Sequence, residues 1–281
     1  MKSGRNARKA EGERMQKNLD FDLEQTLECG QCFRWERQPD GSYTGVASGH
    51  ILNISEENIP QIAQDEFWGN YFDLKRDYAK IRADLSAADR TLAQAAQFAP
   101  GMRILNQEPW EALCSFILSQ NNNIPRIRGI VKRLCEQFGE PLGDGFYTFP
   151  SPERLAALEP EDLCEIRCGF RAKYVVDAAR KVAFGLVDLE RLKTAELSAA
   201  REQLMQIHGV GPKVADCTLL YGLHRLEAFP MDVWMKRAMQ TLFPGRSPEA
   251  FGRYAGIAQQ YIFHYSRCNP ELFAKERQHA G

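Results

Sequence analysis

Two periodicities divide the chain. From Phe21 to Ile54 the pattern has a period of two: Phe33 and Trp35 alternate with polar neighbours, and Ile51, Asn53 and Ser55 flank Leu52 and Ile54. Pro39-Asp40-Gly41 supplies a turn, so this stretch predicts antiparallel sheet. After Asp89 the period becomes helical and stays so to the C-terminus. Trp110, Leu113, Cys114, Ile117 and Leu118 share one helical face, and Ile127, Ile130, Val131, Leu134 and Phe138 repeat it before Gly139. Between these two helices lies a polar joint, Ser119-Gln120-Asn121-Asn122-Asn123, with Pro125 suited to the first turn of the second. Further helices are expected at Ser151-Pro152-Glu153, Thr194-Ala195-Glu196 and Ser247-Pro248-Glu249, each with a capping residue and an early acid. The last would carry Phe251, Tyr254, Ala255, Ala258 and Ile262 on one face.

The predicted class is therefore α+β: an antiparallel sheet domain over 19–95, packed on an all-helical domain over 96–281, with a cleft between. Residues 1–18 are charged and lack periodicity, and read as a mobile basic tail. No stretch approaches the roughly 20 apolar residues of a membrane helix, and the basic start has no apolar centre, so a membrane span and a secretion signal are not expected. A cytoplasmic, nucleoid-associated monomer follows. The formal net charge is −1, so a nucleic-acid partner would have to be held by a local basic patch. Eight cysteines are scattered without a secretion signal, which favours reduced thiols. Cys29-Gly30-Gln31-Cys32 lacks a second pair at metal-ligand spacing, and the five histidines form no His-x-x-x-His or Glu-x-x-His pair, so no metal or cofactor is expected.

The chemistry concentrates in Leu204-Met-Gln-Ile-His-Gly-Val-Gly-Pro-Lys213-Val-Ala-Asp-Cys217. An apolar helix ends at Ile207, Gly209-Val210-Gly211 forms a tight turn, and Pro212 opens a second helix. This is a helix–hairpin–helix pattern. Its glycines let backbone approach a phosphate, and the free N–H groups of the second helix point outward with the positive end of its dipole. A dinucleotide-binding loop would need a preceding strand and a third glycine, and a nucleotide P-loop a longer glycine spacing before Lys-Ser/Thr. Downstream, Asp232 in Phe229-Pro-Met-Asp232 sits where an N-cap belongs, before Met235, Ala238, Met239 and Leu242. Taken singly, Asp232 reads as a cap and Lys213 as a phosphate-binding lysine; together after this hairpin they point to catalysis.

These residues resemble the helix–hairpin–helix glycosylase superfamily and, within it, the 8-oxoguanine DNA glycosylases. The resemblance runs from about Cys29 to Phe263. It rests on Gly30-Gln-Cys-Phe-Arg-Trp35, Ser119-Gln-Asn-Asn-Asn-Ile-Pro-Arg126, Gly169-Phe-Arg-Ala-Lys-Tyr174, Gly209-Val-Gly-Pro-Lys-Val-Ala-Asp-Cys217 and Tyr254-Ala-Gly-Ile-Ala-Gln259.

The resemblance implies a bifunctional DNA glycosylase and lyase acting on duplex DNA containing 8-oxoguanine. Lys213 would be the amine that displaces the base and forms a Schiff base, and Asp232 would stabilise positive charge on the sugar. The damaged base would be flipped into a pocket of Gly30, Cys217, Gln259 and Phe263. The Gly30 carbonyl would accept the N7–H that guanine lacks, Gln259 would bind the Watson–Crick edge, and Phe263 with Cys217 would sandwich the ring. Asn121, Arg126, Phe170 and Arg171 match residues that fill the gap and contact the opposite cytosine, and Gly209, Gly211, Val214 and Trp234 match phosphate contacts. Phe170 and Trp234 stand where eukaryotic members carry tyrosine and histidine, keeping aromatic shape but changing hydrogen bonding. A cluster-bearing relative would need four C-terminal cysteines, whereas only Cys268 lies there. Alkylpurine glycosylases lack the hairpin lysine. The alternatives left are a glycosylase for another damaged base, and a non-catalytic DNA-binding module with no use for Asp232.

Overall fold

The computed structural model describes residues 19–273; the basic tail expected over 1–18 lies outside them. Residues expected to begin the sheet form instead a short helix, α1 (Leu23–Leu27). Asp22 caps it by accepting from the Gln25 N–H, and Leu23, Thr26 and Leu27 are buried at helical rather than alternating spacing. The sheet proper is β1 (Trp35–Arg37), β2 (Tyr43–Ala47) and β3 (His50–Ile54), antiparallel in sequence order. Trp35 faces Gly45, where a Cβ would lie 2.4 Å from the Trp35 ring, so the glycine makes room for the indole. Trp35 Nε1 donates to the Tyr71 hydroxyl at 2.8 Å inside a cluster with Trp68 and Phe72.

Helices begin earlier than the periodicity indicates. α2 (Ile59–Ile62) and α3 (Glu66–Tyr71) cover the sheet, and α4 (Tyr78–Ala88) and α5 (Arg90–Phe98) follow, the last three capped by Asp65, Asp77 and Asp89. Tyr78, Ile81, Leu85 and Leu92 belong to the core of the helical body, so the boundary expected at 95/96 falls within α5. The extended crossing at 102–107 joins the two cores. Met102 and Ile104 enter the helical core and Leu105 the sheet core, as alternating side chains of an extended segment must. Buried Arg103 pins this crossing, donating to the carbonyls of Asp73 and Leu19 with its guanidinium 4.5 Å over the Tyr78 ring.

The helical body continues with α6 (Pro109–Leu118), α7 (Ile124–Phe138), α8 (Pro152–Ala156), α9 (Ala172–Ala183), α10 (Leu189–Leu192), α11 (Leu197–Leu204), α12 (Pro212–Tyr221), α13 (Val233–Leu242) and α14 (Ala255–Cys268). The predicted faces of α6 and α7 are buried, Phe138 only in part. Three details differ from the helical reading. A two-stranded ladder, β4 (Pro141–Gly143) with β5 (Phe146–Tyr147), interrupts the helices after α7. The helix expected from Thr194 starts at Leu197, after Glu196. The helix expected from Ser247 is a 3-10 segment, Pro248–Tyr254, broken at Gly252 (φ 66°), and α14 begins only at Ala255. A left-handed residue cannot continue an α-helix, so Phe251 and Tyr254 do not extend the α14 face.

Candidate active site

Four structural pieces converge on one cavity. The turn after α1 brings Gly30 and Phe33, the α6–α7 joint brings Ser119, Asn122 and Asn123, the starts of α12 and α13 bring Lys213, Asp232 and Trp234, and α14 brings Phe263 and Arg267. The cavity has a volume of about 490 Å³, within the roughly 300–1,000 Å³ usual for ligand sites. A second concavity shares Ser119, Asn122, Lys213 and Asp232 with it and runs past Asn121, Gly211, Val214 and Lys236. The two share these residues as a common wall and form one continuous open site.

Lys213 is placed by the hairpin. α12 is a helix without a side-chain cap, its N-cap position being Gly211, whereas Asp, Glu or Asn side chains cap α4, α5, α6, α7 and α13. Its first-turn N–H groups therefore stay open to an anion. The two hairpin glycines do different work. Gly209 has φ 80° and a Cβ there would lie 2.4 Å from the Tyr174 ring, so the internal packing demands glycine. Gly211 has ordinary φ and ψ, and a Cβ would meet nothing within 4 Å, so its smallness faces outward. The hairpin is tied to α9 by Asp177, which accepts from the His208 N–H at 2.7 Å and pairs with Lys181, itself bonded to the Gln206 carbonyl.

The Lys213 amine is half-buried. It lies 3.4 Å from Ser119 Oγ and 5.2 Å over the Phe116 ring. Asp232 caps α13 through the Met235 N–H at 2.7 Å, which fixes its carboxyl at the chamber wall. Cys217 lies one turn beyond Lys213 and is buried; burial pushes its thiol up to about 11, with Lys213 pulling the other way. It is therefore a neutral thiol at physiological pH. Gln259 sits one turn before Phe263 on α14, and its Oε1 is buried with no partner among the described residues. Phe263 carries the Arg267 guanidinium 5.4 Å over its ring.

The joint presents Asn121 outward, exposed at φ 48°, and Asn123 caps α7 through the Arg126 N–H. Arg126 is exposed and Phe170 is 50% exposed. Arg171 differs: it is 3% exposed, and its guanidinium donates to the carbonyls of Gln120, Asn121 and Cys168 while stacking 4.4 Å from Phe170. In this conformation it shapes the joint rather than offering free donors. The sequence reading had not singled out Ser119, Phe116 or Arg267 as site residues. Only spatial neighbours identify them: Ser119 and Phe116 are ordinary helix-end and core types, and Arg267 lies far along α14.

The fold and this chamber define the class, a helix–hairpin–helix protein of DNA base excision. The model described as "8-oxoguanine DNA glycosylase, N-terminal domain" matches residues 14–113, and that described as "HhH-GPD superfamily base excision DNA repair protein" matches 114–250. A probable N-glycosylase/DNA lyase of Methanothermobacter thermautotrophicus is 31% identical, covering 88% of this chain and 94% of that protein. The Clostridium acetobutylicum 8-oxoguanine glycosylase/lyase, solved with double-stranded DNA containing cytosine opposite 8-oxoG, is 38% identical with a TM-score of 0.78, covering 89% and 93% of the two chains. MBOgg1, solved with a low-affinity DNA ligand, is 44% identical with a TM-score of 0.82, covering 90% and 94%. The chain belongs to the 8-oxoguanine N-glycosylase/DNA lyase family. No helix among the described residues is long and apolar enough to cross a membrane.

Proposed function

We propose that this protein excises 8-oxoguanine from duplex DNA and then cleaves the strand at the resulting site. The observation that carries the reading is the meeting of Lys213 and Asp232, from two separate helix starts, in one chamber that also receives the Gly30 turn and Phe263. A DNA-binding module has no need of such a chamber. The damaged nucleotide enters from the groove beside Gly211, Val214 and Lys236, where open helix N–H groups and basic side chains meet phosphates despite the net charge of −1. Asn121, at the exposed tip of the joint, fills the space the flipped base leaves, with Phe170 as the wedge and Arg126 facing the opposite cytosine. Arg171 supports this face by holding the joint's carbonyls. Gly209 sets the hairpin, and Trp234 covers the phosphates next to Asp232.

In the chamber, the Gly30 carbonyl accepts the N7–H of 8-oxoguanine and the unpaired Gln259 amide oxygen takes a donor from the Watson–Crick edge. A buried acceptor left unpaired costs about 1–3 kcal/mol, so ligand binding offsets that penalty. Phe263 and Cys217 enclose the ring. The Lys213 amine attacks C1′ as the C1′–N9 bond breaks, and the leaving base takes up a proton released by the attacking nitrogen. Asp232 stabilises the cationic sugar in this step. The sugar then opens as O4′ leaves C1′ and takes a proton from solvent, giving a protonated Schiff base; removal of a C2′ proton then expels the 3′ phosphate. No cofactor enters this sequence, and the enzyme acts as a monomer on chromosomal DNA in the cytoplasm. The test uses wild type and Lys213→Gln on duplexes with 8-oxoguanine opposite each base, with borohydride trapping. Cutting and covalent trapping by wild type alone support the mechanism; release of free base by Lys213→Gln at the wild-type rate overturns it.

A further inference from the structure

The turn that presents Gly30 is held on both sides by buried amides that the reaction itself does not use. Gln260 is 1% exposed, and its Nε2 donates to the Cys29 carbonyl at 3.2 Å. Its Oε1 accepts from the Tyr221 hydroxyl, which is 4% exposed and is kept a donor because burial pushes the phenol well above its ordinary range. Tyr221 in turn stacks on Phe116, with ring centroids 5.2 Å apart at 22°, and Phe116 is the ring beneath the Lys213 amine. On the other side, Gln107 Nε2 donates to the Gln31 carbonyl at 2.7 Å, and its backbone N–H bonds the Tyr221 carbonyl at 3.0 Å. The Gln31 side chain is itself bonded to the carbonyls of Thr26 and Arg103 and to the Leu105 N–H.

Thus the carbonyls before and after Gly30 are each occupied by a buried donor, while none of the hydrogen bonds among the described residues goes to the Gly30 carbonyl. With φ 88°, Gly30 sits at the crest of this turn and lines the chamber. A peptide whose two neighbours are fixed has little freedom to rotate, so its carbonyl direction is set before a base arrives. Adjacent carbonyls left unoccupied could instead swing in and accept the same N–H, or let the plane turn away.

We infer that Gln260, braced by Tyr221, is a positioning residue for base discrimination: it holds the Cys29 carbonyl out of the chamber and aims the Gly30 carbonyl at the incoming base. The inference rests on the proposed excision of 8-oxoguanine and deepens it, because it ties damage recognition to two buried residues that touch neither the base nor the sugar. It also couples the recognition turn to the α12 helix that carries Lys213, through the hydroxyl at the far end of that helix.

The test compares wild type with Gln260→Met, which keeps side-chain length and removes both hydrogen bonds, with Tyr221→Phe, which removes one, and with the double variant. Each acts on three duplexes, containing 8-oxoguanine, 8-methoxyguanine (no N7–H) or a preformed abasic site. Single-turnover excision of 8-oxoguanine should fall about tenfold or more in Gln260→Met and less in Tyr221→Phe, with the double variant no worse than Gln260→Met. The 8-oxoguanine to 8-methoxyguanine ratio should fall with it, and nicking at the abasic site should stay within about twofold because no base is read there. Equal losses on all three duplexes mean a general packing defect and overturn the assignment, as does an unchanged ratio. A wild type that nicks the abasic site but leaves 8-oxoguanine intact overturns the underlying function instead, and the positioning role with it.

Discussion

Replacing each hairpin glycine by alanine separates a folding requirement from a DNA requirement, because the two positions differ in kind. At Gly209, alanine must adopt φ 80° and place its methyl 2.4 Å from Tyr174. The left-handed conformation costs about 1–2 kcal/mol and the overlap about 1–3, for a loss of roughly 2–5 kcal/mol. At roughly 2–4 °C per kcal/mol for a chain of this size, Tm should fall by about 4–20 °C. At Gly211, φ is −98°, ψ is −178° and the methyl meets nothing within 4 Å. Gly211→Ala should therefore leave stability unchanged or raise it by up to about 1 kcal/mol, through the less flexible unfolded chain. The added methyl stands where a phosphate would approach the open N–H groups of α12. Losing one such contact should weaken binding about tenfold, near 1.4 kcal/mol, at every salt concentration, because no charged side chain is lost and the salt slope is set by charge neutralisation. Thermal unfolding together with fluorescence anisotropy on an abasic-analogue duplex, at several salt concentrations, measures both quantities. Wild-type affinity for Gly211→Ala at every salt concentration would refute phosphate docking at this hairpin.

Other expectations follow from the same geometry. Asp232→Asn keeps an N-cap acceptor for the Met235 N–H but removes the charge, so stability should hold while single-turnover excision falls by at least about 100-fold; Asp232→Ala should lose about 1 kcal/mol of stability as well, in urea titrations. Under native conditions at pH 8, iodoacetamide should modify Cys164 and Cys268 and spare the six buried thiols including Cys217, and mass spectrometry showing early modification at Cys217 would contradict its buried, protonated state. Burial works to raise the Asp73 carboxyl, but hydrogen bonds and charge from His224 and Arg76 outweigh it and hold the carboxyl below its usual range. That contribution is present above the unfolded value near 3.9 and is lost as pH falls through the lower folded value. Asp73→Asn should thus be less stable than wild type by about 2 kcal/mol at pH 7, and the gap measured by urea unfolding should close below about pH 4.

The hairpin and the two helix starts that carry Lys213 and Asp232 were legible in the linear sequence because their signals are local. A glycine–proline–lysine run, or an aspartate before a helical apolar pattern, states its own backbone geometry within a few residues. The α6 and α7 faces were legible for the same reason, through their 3.6 spacing. Elements whose identity depends on distant partners were not. Alternation near Phe33 resembled a strand, yet Leu23, Thr26 and Leu27 are buried as a helix once Asp22 and Gly101 supply its end. α4 carries little amphipathic pattern of its own, α5 packs against α14 far along the chain, and Gly252 splits what reads as one continuous helix.

What the sequence by itself determined, then, was the class of chemistry: residue types and short spacings that fix caps, turns and an exposed helix start. Tertiary structure alone decided which of those residues share a chamber. It set Ser119 beside Lys213, turned Arg171 inward to the joint's carbonyls, left the Gln259 oxygen unpaired, and braced the Gly30 turn through Gln260, 231 residues away from Cys29. Contacts between residues so far apart leave no periodicity in the chain, since they arise only when packing two cores brings their surfaces together.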